Sequence, residues 1–458
     1  MAEVEGLPAR RVALKALREV DEDGAWSTAA VPKAVEPLVE QRDRAFASHL
    51  AYESLRWQGT LDHLLEQHLN RPMADVEPAL QRILRLGALQ LWHSDVPAHA
   101  AVQTSVELAR EAVPQRRAKG ASGFVNGVLR SLARSLEAGP PRWPQDPRDR
   151  TALTTGHPRW IVDELAERLG LARAAAVLAA DSDPAGTTLR ARDDRDALVE
   201  ELRAAGVEAE PGAAAPEAVH VTGVDPRTIT AVAEGRARPQ DEASMLVTHA
   251  ADVQPGERVL DLCAGPGGKT THLATLAGPQ GEVVAVELHH HRARDVDRAA
   301  AAMHLDNVDV RVGDATSPPL ADDERFDVVL VDAPCTGLGV GRRRPEVRWR
   351  RHQDDVDALA TIQRDLLAAA GRWVAPGGRL VYAVCTWTGA ETEEVVDAAT
   401  PDGMVCTSRR QLLPDTDGTD GMFIATFEHA ADGATATVAR ATAAVADADA
   451  DPTSAPLV

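Results

Sequence analysis

The sequence predicts an α/β protein: a doubly wound domain preceded by an all-helical domain and a small α+β element. Three observations carry this. Beyond Gln240, short apolar runs alternate with helical stretches, as parallel strands joined by helices do. Before Gly139, apolar residues recur at helical spacing and no alternating strand appears. Between the two, PPRWPQDP (Pro140–Pro147) breaks the chain.

The helical stretch begins with ARRVALKALREV, whose apolar residues Ala13, Leu14, Leu17 and Val20 keep helical spacing. RDRAFASHLAYESLRWQGTLDHLLEQHL, PALQRILRLGALQLW, HAAVQTSVELAREA and GFVNGVLRSLARSL continue the pattern, so residues 1–140 read as one helical domain. Residues 150–238 read as a linking segment. It holds a helix at HPRWIVDELAERLG, then TTLRAR, DALVEELRAAG and VEAEPG as a small α+β element. Residues 239–430 form the doubly wound domain, with strands expected at RVLDLCA, EVVAVEL, VDVRVGD, FDVVLVDA, GRLVYAVC and MFIATFE. Residues 431–458 are rich in Ala, Asp and Thr and read as a disordered tail.

Composition narrows the class. Hydrophobic residues make up 44% and aromatics 3%, so the cores rest on Ala, Leu and Val. The net charge of −21 argues against a surface uniformly attractive to nucleic acid. The charge is unevenly spread, however. Residues 1–140 carry 17 Lys and Arg against 18 Asp and Glu, and GRRRPEVRWRR packs six arginines between Arg342 and Arg351. Cys263, Cys335, Cys385 and Cys406 stand at least 21 residues apart, which gives no zinc or C-x-x-C signature. Scattered cysteines, no apolar signal core in MAEVEGLPARR and no run near the ~18 apolar residues of a membrane helix suggest a soluble cytoplasmic protein. No metal and no membrane are expected, and a monomer is.

The first strand of the doubly wound domain runs into DLCAGPGGKTTHLA (Asp261–Ala274). Such glycine-rich turns sit at the carboxyl ends of strands, where open α/β sheets bind ligands. Gly268-Lys269-Thr270 fits the end of a P-loop, but its required first glycine falls at Cys263. The dinucleotide fingerprint starts at Gly265 and Gly267 and meets Thr270 at its third glycine. Glu287 ends the second strand, 19 residues beyond Gly268, where a carboxylate can hold both ribose hydroxyls. NAD and S-adenosylmethionine share that ribose. Asp314, in VGDAT, can bond an adenine amino group or cap the next segment.

The fourth strand ends in VDAPCTGLG (Val331–Gly339) and the fifth in YAVCTW (Tyr382–Trp387). Cys335 and Cys385 thus lie at the ends of adjacent strands, on the side of the glycine-rich turn. A lone cysteine there is usually a small buried hydrophobe. Two of them, with Asp332 three residues before one, form a candidate nucleophilic site.

DLCAGPGGKT, VGDAT, DAPCTGLGVGRRRPEVRWRR and YAVCTW, in this order and spacing, closely resemble the signatures of the Sun/Fmu RNA cytosine-5 methyltransferases. RDRAFASHLAYESLRW, LQRILRLGALQLW and GFVNGVLRSLAR resemble a NusB-like RNA-binding domain, as in the bacterial 16S rRNA enzymes of that family. The resemblance implies a Rossmann-like methyltransferase domain with S-adenosylmethionine as cofactor and RNA, 16S rRNA in particular, as partner. It implies Cys385 as nucleophile and Cys335 as the residue that assists release; Asp332, beside them, can hydrogen-bond the base edge. The cofactor contacts correspond to Cys263, Ala264, Gly265, Pro266, Gly267, Gly268, Lys269, Glu287, Asp314 and Asp332. Beside this site, Arg342, Arg343, Arg344, Arg348, Trp349, Arg350 and Arg351 are expected to meet RNA, with arginines on phosphates. Gly265 stands where alanine is commoner in the family, Val384 where threonine is, and ETEEVV (Glu391–Val396) lacks the family's frequent Glu-Asn pair. A tRNA cytosine-5 methyltransferase, a small-molecule methyltransferase and a non-catalytic RNA-binding or assembly factor are the alternatives. The paired cysteines speak against a pure binder.

Overall fold

The computed structural model describes residues 6–430; the expected tail at 431–458 lies outside them. Seven helices open the chain: α1 (Leu7–Glu22), α2 (Ser27–Val35), α3 (Gln41–Arg56), α4 (Gln58–Glu66), α5 (Pro78–Trp92), α6 (Ala98–Ala112) and α7 (Gln115–Ala138). Their apolar faces meet in one core containing Leu50, Leu61, Leu65, Ile83, Leu89, Val125 and Leu129. Gly87 lets α5 approach its neighbours: a Cβ there would stand 2.5 Å from Leu129 Cδ1 and 2.8 Å from Ser105 Oγ.

Three helices follow, α8 (Pro147–Thr154), α9 (Arg159–Leu169) and α10 (Leu171–Asp181). Asp146 caps α8 by accepting the N–H groups of Arg148 and Asp149. The chain then builds β1 (Thr187–Ala191), α11 (Arg195–Ala204), β2 (Glu208–Pro211), β3 (Ala218–Thr222), α12 (Thr230–Ala233) and β4 (Ala237–Pro239). These strands form an antiparallel sheet in the order β2-β3-β1-β4.

The remaining elements are α13 (Glu242–Ala250), β5 (Arg258–Leu262), α14 (Gly268–Ala277), β6 (Glu282–Glu287), α15 (His290–Ala302), β7 (Val308–Val312), β8 (Phe326–Asp332), α16 (Val347–Arg350), α17 (Gln353–Ala370), β9 (Val374–Val384), α18 (Glu393–Ala399), β10 (Met404–Leu412), α19 (Pro414–Asp417) and β11 (Met422–His429). The sheet order is β10-β11-β9-β8-β5-β6-β7. Strands β7, β6, β5, β8 and β9 are parallel. Both faces are covered: Leu260, Val284, Val329 and Leu380 enter one core, and Val259, Val283, Val328 and Val381 the other.

One edge departs from the all-parallel expectation. β11 inserts antiparallel beside β9, and β10 pairs antiparallel with β11. The MFIATFE strand was expected, but β10 was not. Its middle, Thr407–Arg410, is exposed and polar, as befits an edge strand, so it carries no apolar run. Among the described residues, no helix is long and apolar enough to cross a membrane.

Candidate active site

Strand β5 ends at Leu262, and the chain turns at once. Cys263 takes φ +66° and Gly267 φ +93° before α14 begins at Gly268. The first N–H groups of α14 have no partner within their own helix, so they face the turn as donors. Gly265 has no room for a side chain: a Cβ would stand 2.5 Å from Glu287 Oε2. Glu287 is buried at the end of β6 and accepts the N–H groups of Gly265 and His289, each at 3.0 Å. Lys269, in the first turn of α14, donates to Asp332 Oδ2 at 2.8 Å. Ala264 is buried and Pro266 exposed in the same turn. Asp314 is exposed and accepts both the N–H and the hydroxyl of Thr316 at 2.8 Å, which holds its carboxyl below the usual range. Its Oδ1 therefore caps the next segment, one of the two roles its sequence allowed, and Oδ2 takes no part in that cap.

Two residues that hold this turn carry no separate mark in the sequence. Asp261 is fully buried, and burial pushes its carboxyl up to about 7. Thr270 donates to one of its oxygens at 2.6 Å; the other finds no hydrogen-bond partner among the described residues. Arg190, buried on β1, reaches across to Gly268 O at 2.9 Å, Thr271 Oγ1 at 3.1 Å and Gln240 Oε1 at 2.6 Å. The small antiparallel sheet thereby fixes the first turn of α14.

Parallel pairing of β8 with β9 brings the two cysteines together, with Cys335 Sγ 3.3 Å from Cys385 Sγ. The pair is electrically unequal. The Cys335 hydrogen bond lowers the Cys385 thiol, helped by the charges of Lys269 and Arg344 and opposed by burial and Asp332. Cys335 is pushed well up, by the same bond, by burial, and by the charges of Cys385, Glu391 and Asp332. Of the two, Cys385 is the more readily ionised, with Cys335 Sγ within hydrogen-bond distance of it. Cys263 is also pushed up, first by burial.

The basic run behaves differently from its expectation. Arg348 is 1% exposed and binds Asp181 Oδ2 at 2.7 Å, Asp181 O at 3.2 Å, Gly156 O at 3.1 Å and Ser182 Oγ at 3.1 Å. A guanidinium so enclosed has no face to offer a phosphate, and RNA contact is corrected at this residue. Arg343 is paired with Asp241 at 2.6 Å and Asp420 at 3.0 Å. Arg342 donates to Gly418 O, Arg351 to Thr336 O, and Arg350 to Val20 O and Ala25 O. Trp349 donates to Leu55 O at 2.5 Å and lies against Gly59, where a Cβ would stand 2.7 Å from its ring. Much of the run therefore clasps the helical domain and α8–α10 to the half built on the seven-stranded sheet. Arg344 is its exposed member, 5.4 Å above the Trp26 ring.

Comparison with known proteins agrees with this geometry. Residues 248–428 match the family model described as 16S rRNA methyltransferase RsmB/F. Residues 7–134 match the NusB family, and residues 157–226 match the ferredoxin-like domain of RsmF/B-like methyltransferases. A putative methyltransferase of Mycobacterium tuberculosis is 40% identical, over 91% of this chain and 96% of that protein. A probable ribosomal RNA small subunit methyltransferase B of Bacillus subtilis is 34% identical, over 91% and 97%. The crystal structure of PH0851 superposes with a TM-score of 0.80 over 93% of this chain and 99% of that one; at 24% identity it shows the shared fold. The side-chain-free turn at Gly265, the buried Glu287 carboxylate and the helix start at Gly268 fit a nucleoside. The chain belongs to the RsmB/F family of methyltransferases, with S-adenosylmethionine as its cofactor.

Proposed function

We propose that this protein methylates carbon 5 of a cytosine in 16S rRNA through a covalent bond between Cys385 and carbon 6 of the base. The observation that carries this is the unequal cysteine pair at the ends of β8 and β9, 3.3 Å apart, beside the Lys269–Asp332 pair. The names of relatives such as the Bacillus subtilis protein support the RNA.

Cytosine carbon 5 is a poor nucleophile. The Cys385 thiolate adds its electron pair to carbon 6, and the carbon 5–carbon 6 π pair then makes carbon 5 electron-rich. The Asp332–Lys269 pair supplies hydrogen bonding and positive charge against the negative charge that develops in the ring. S-adenosylmethionine would be held by Cys263 to Lys269, Glu287, Asp314 and Asp332 and would supply an electrophilic methyl group. Release requires carbon 5 to lose its proton and the sulfur–carbon 6 bond to break, with that bonding pair returning to Cys385. The Cys335 thiol, 3.3 Å from Cys385, is placed to donate to the departing thiolate and stabilise it. In this reading residues 1–140 orient the RNA, and residues 239–430 carry the chemistry.

The two cysteines separate in an experiment. Cys385→Ala should abolish transfer and form no adduct. Cys335→Ala should retain attack but stall release, leaving enzyme covalently bound to RNA as a slow band on a denaturing gel. An adduct in Cys385→Ala instead would reverse the roles, and full activity in both would remove the covalent path. Bisulfite sequencing of rRNA and tRNA from cells lacking the protein identifies the cytosine.

A further inference from the structure

Glu391 lies outside the motifs that bind cofactor or attack the base, yet it is fully buried and gathers donors from both cysteine loops. Thr336, next to Cys335, gives it a backbone N–H at 2.7 Å and a hydroxyl at 2.6 Å. Thr386, next to Cys385, gives a hydroxyl at 3.2 Å, and Thr388 another at 2.8 Å. Gln363 of α17 donates to it at 3.0 Å and to Pro334 O, on the other side of Cys335, at 2.9 Å. The Tyr382 phenol donates to the Glu391 carbonyl at 2.7 Å.

We propose that Glu391 is a positioning residue that locks the Cys335 loop to the Cys385 loop and so fixes Cys385 as the attacking thiol. The proposal rests on the reading that Cys385 attacks. Its first ground is geometric. A buried carboxylate is tolerated where its oxygens are hydrogen-bonded, and leaving one without donors is costly. Moving either loop away would strip this one of donors, so the contact between the sulfurs is held by a group that touches neither.

The second ground is charge. The groups facing the thiols are Asp332, Lys269, Arg344, Tyr382 and Glu391. Lys269 and Arg344 favour the Cys385 thiolate, and Asp332 opposes ionisation of both cysteines. Glu391 weighs on Cys335 and disfavours its ionisation. Without it, the two thiols become more alike.

The test is thiol labelling of the full-length protein by iodoacetamide without RNA, read by peptide mass spectrometry, beside steady-state kinetics. Glu391→Gln keeps the shape and removes the charge. It should narrow the preference for labelling Cys385 over Cys335 by about tenfold, the effect of one unit of relative acidity. It should lower kcat by a similar factor and leave KM for RNA and for S-adenosylmethionine unchanged. An unchanged labelling ratio in the folded variant overturns the proposal. Should Glu391→Gln fail to fold, Thr336→Val decides: it removes one tie and should narrow the ratio in the same direction, less strongly. A purely structural role would lower its melting temperature and leave the ratio where it was, which also overturns the proposal. Because labelling is read without RNA, failure here is distinguishable from failure of the cytosine assignment, which the adduct gel and bisulfite sequencing report.

Discussion

Lys269 has two duties that one substitution separates from the fold. It pairs with Asp332 at 2.8 Å, and its charge favours the thiolate of Cys385. Cys385 is an acid whose reactive form is the deprotonated one. Its folded value is depressed, so the thiolate persists to lower pH, and activity rises with pH through that value. Lys269→Met removes a positive charge and raises it, so the acid limb of the kcat profile should move to higher pH. The maximum rate should also fall by about 10²-fold, as when one preorganised electrostatic partner of a reaction is removed. An unmoved limb in the variant would show that Lys269 does not reach the thiol. Cys335, Cys385 and Asp332 were legible from the sequence, because each stands at a strand end in a motif of reactive residue types. Glu391 stood only in a segment that departs from the family's pattern, with no role read for it, and Arg190 carried no mark. Their partners, such as Thr336 and Gly268, lie 55 and 78 positions away, and a buried polar residue shows its purpose through those partners.

Among the elements, α16 carries the clearest revision. Six arginines in ten residues suggested a phosphate-binding loop, but Arg348 is sealed on Asp181 and Trp349 on Leu55. The distinction is measurable. Arg348→Ala leaves Asp181 buried and short of its cation, and should destabilise the fold by about 3–5 kcal/mol in urea unfolding. Its salt dependence of RNA binding should match the parent. Arg344→Ala should barely affect stability, and should shrink the log–log salt slope by about 0.7 if the side chain holds one phosphate of single-stranded RNA. A reduced slope in a folded Arg348→Ala would restore that residue to the RNA surface. Strand β10 teaches the complementary point. An edge strand solvated along its middle needs no apolar alternation, and its pairing with β11 was decided across the turn at α19.

At the scale of the molecule, the helical domain is bound to the rest by polar, buried contacts. Glu346 accepts the Ser27 N–H and hydroxyl, each at 2.7 Å, and Arg56 donates to Arg342 O at 3.0 Å. Removing residues 1–140 would uncover Glu346 and the Trp349 ring but leave the cores of the seven-stranded sheet complete. The truncated chain should therefore fold, melt below the full-length protein, and lose RNA selectivity while still binding S-adenosylmethionine. Calorimetry and thermal melting check this. Loss of cofactor binding would mean that the clasp, and not the sheet, shapes the cofactor turn.

The sequence by itself determined the helical and doubly wound halves, the glycine-rich turn and the two cysteines at neighbouring strand ends. Those rest on local patterns: helical spacing, apolar strands, a glycine-rich turn, and cysteines at strand ends. The tertiary structure decided what depends on distant partners. It set the 3.3 Å approach of Cys335 to Cys385, their unequal acidity, the gathering of donors on Glu391, and the enclosure of Arg348. A charged side chain looks the same in sequence whether it faces water or a buried carboxylate. Only packing fixes which, because the cost of desolvating it is met by specific partners brought from elsewhere in the chain.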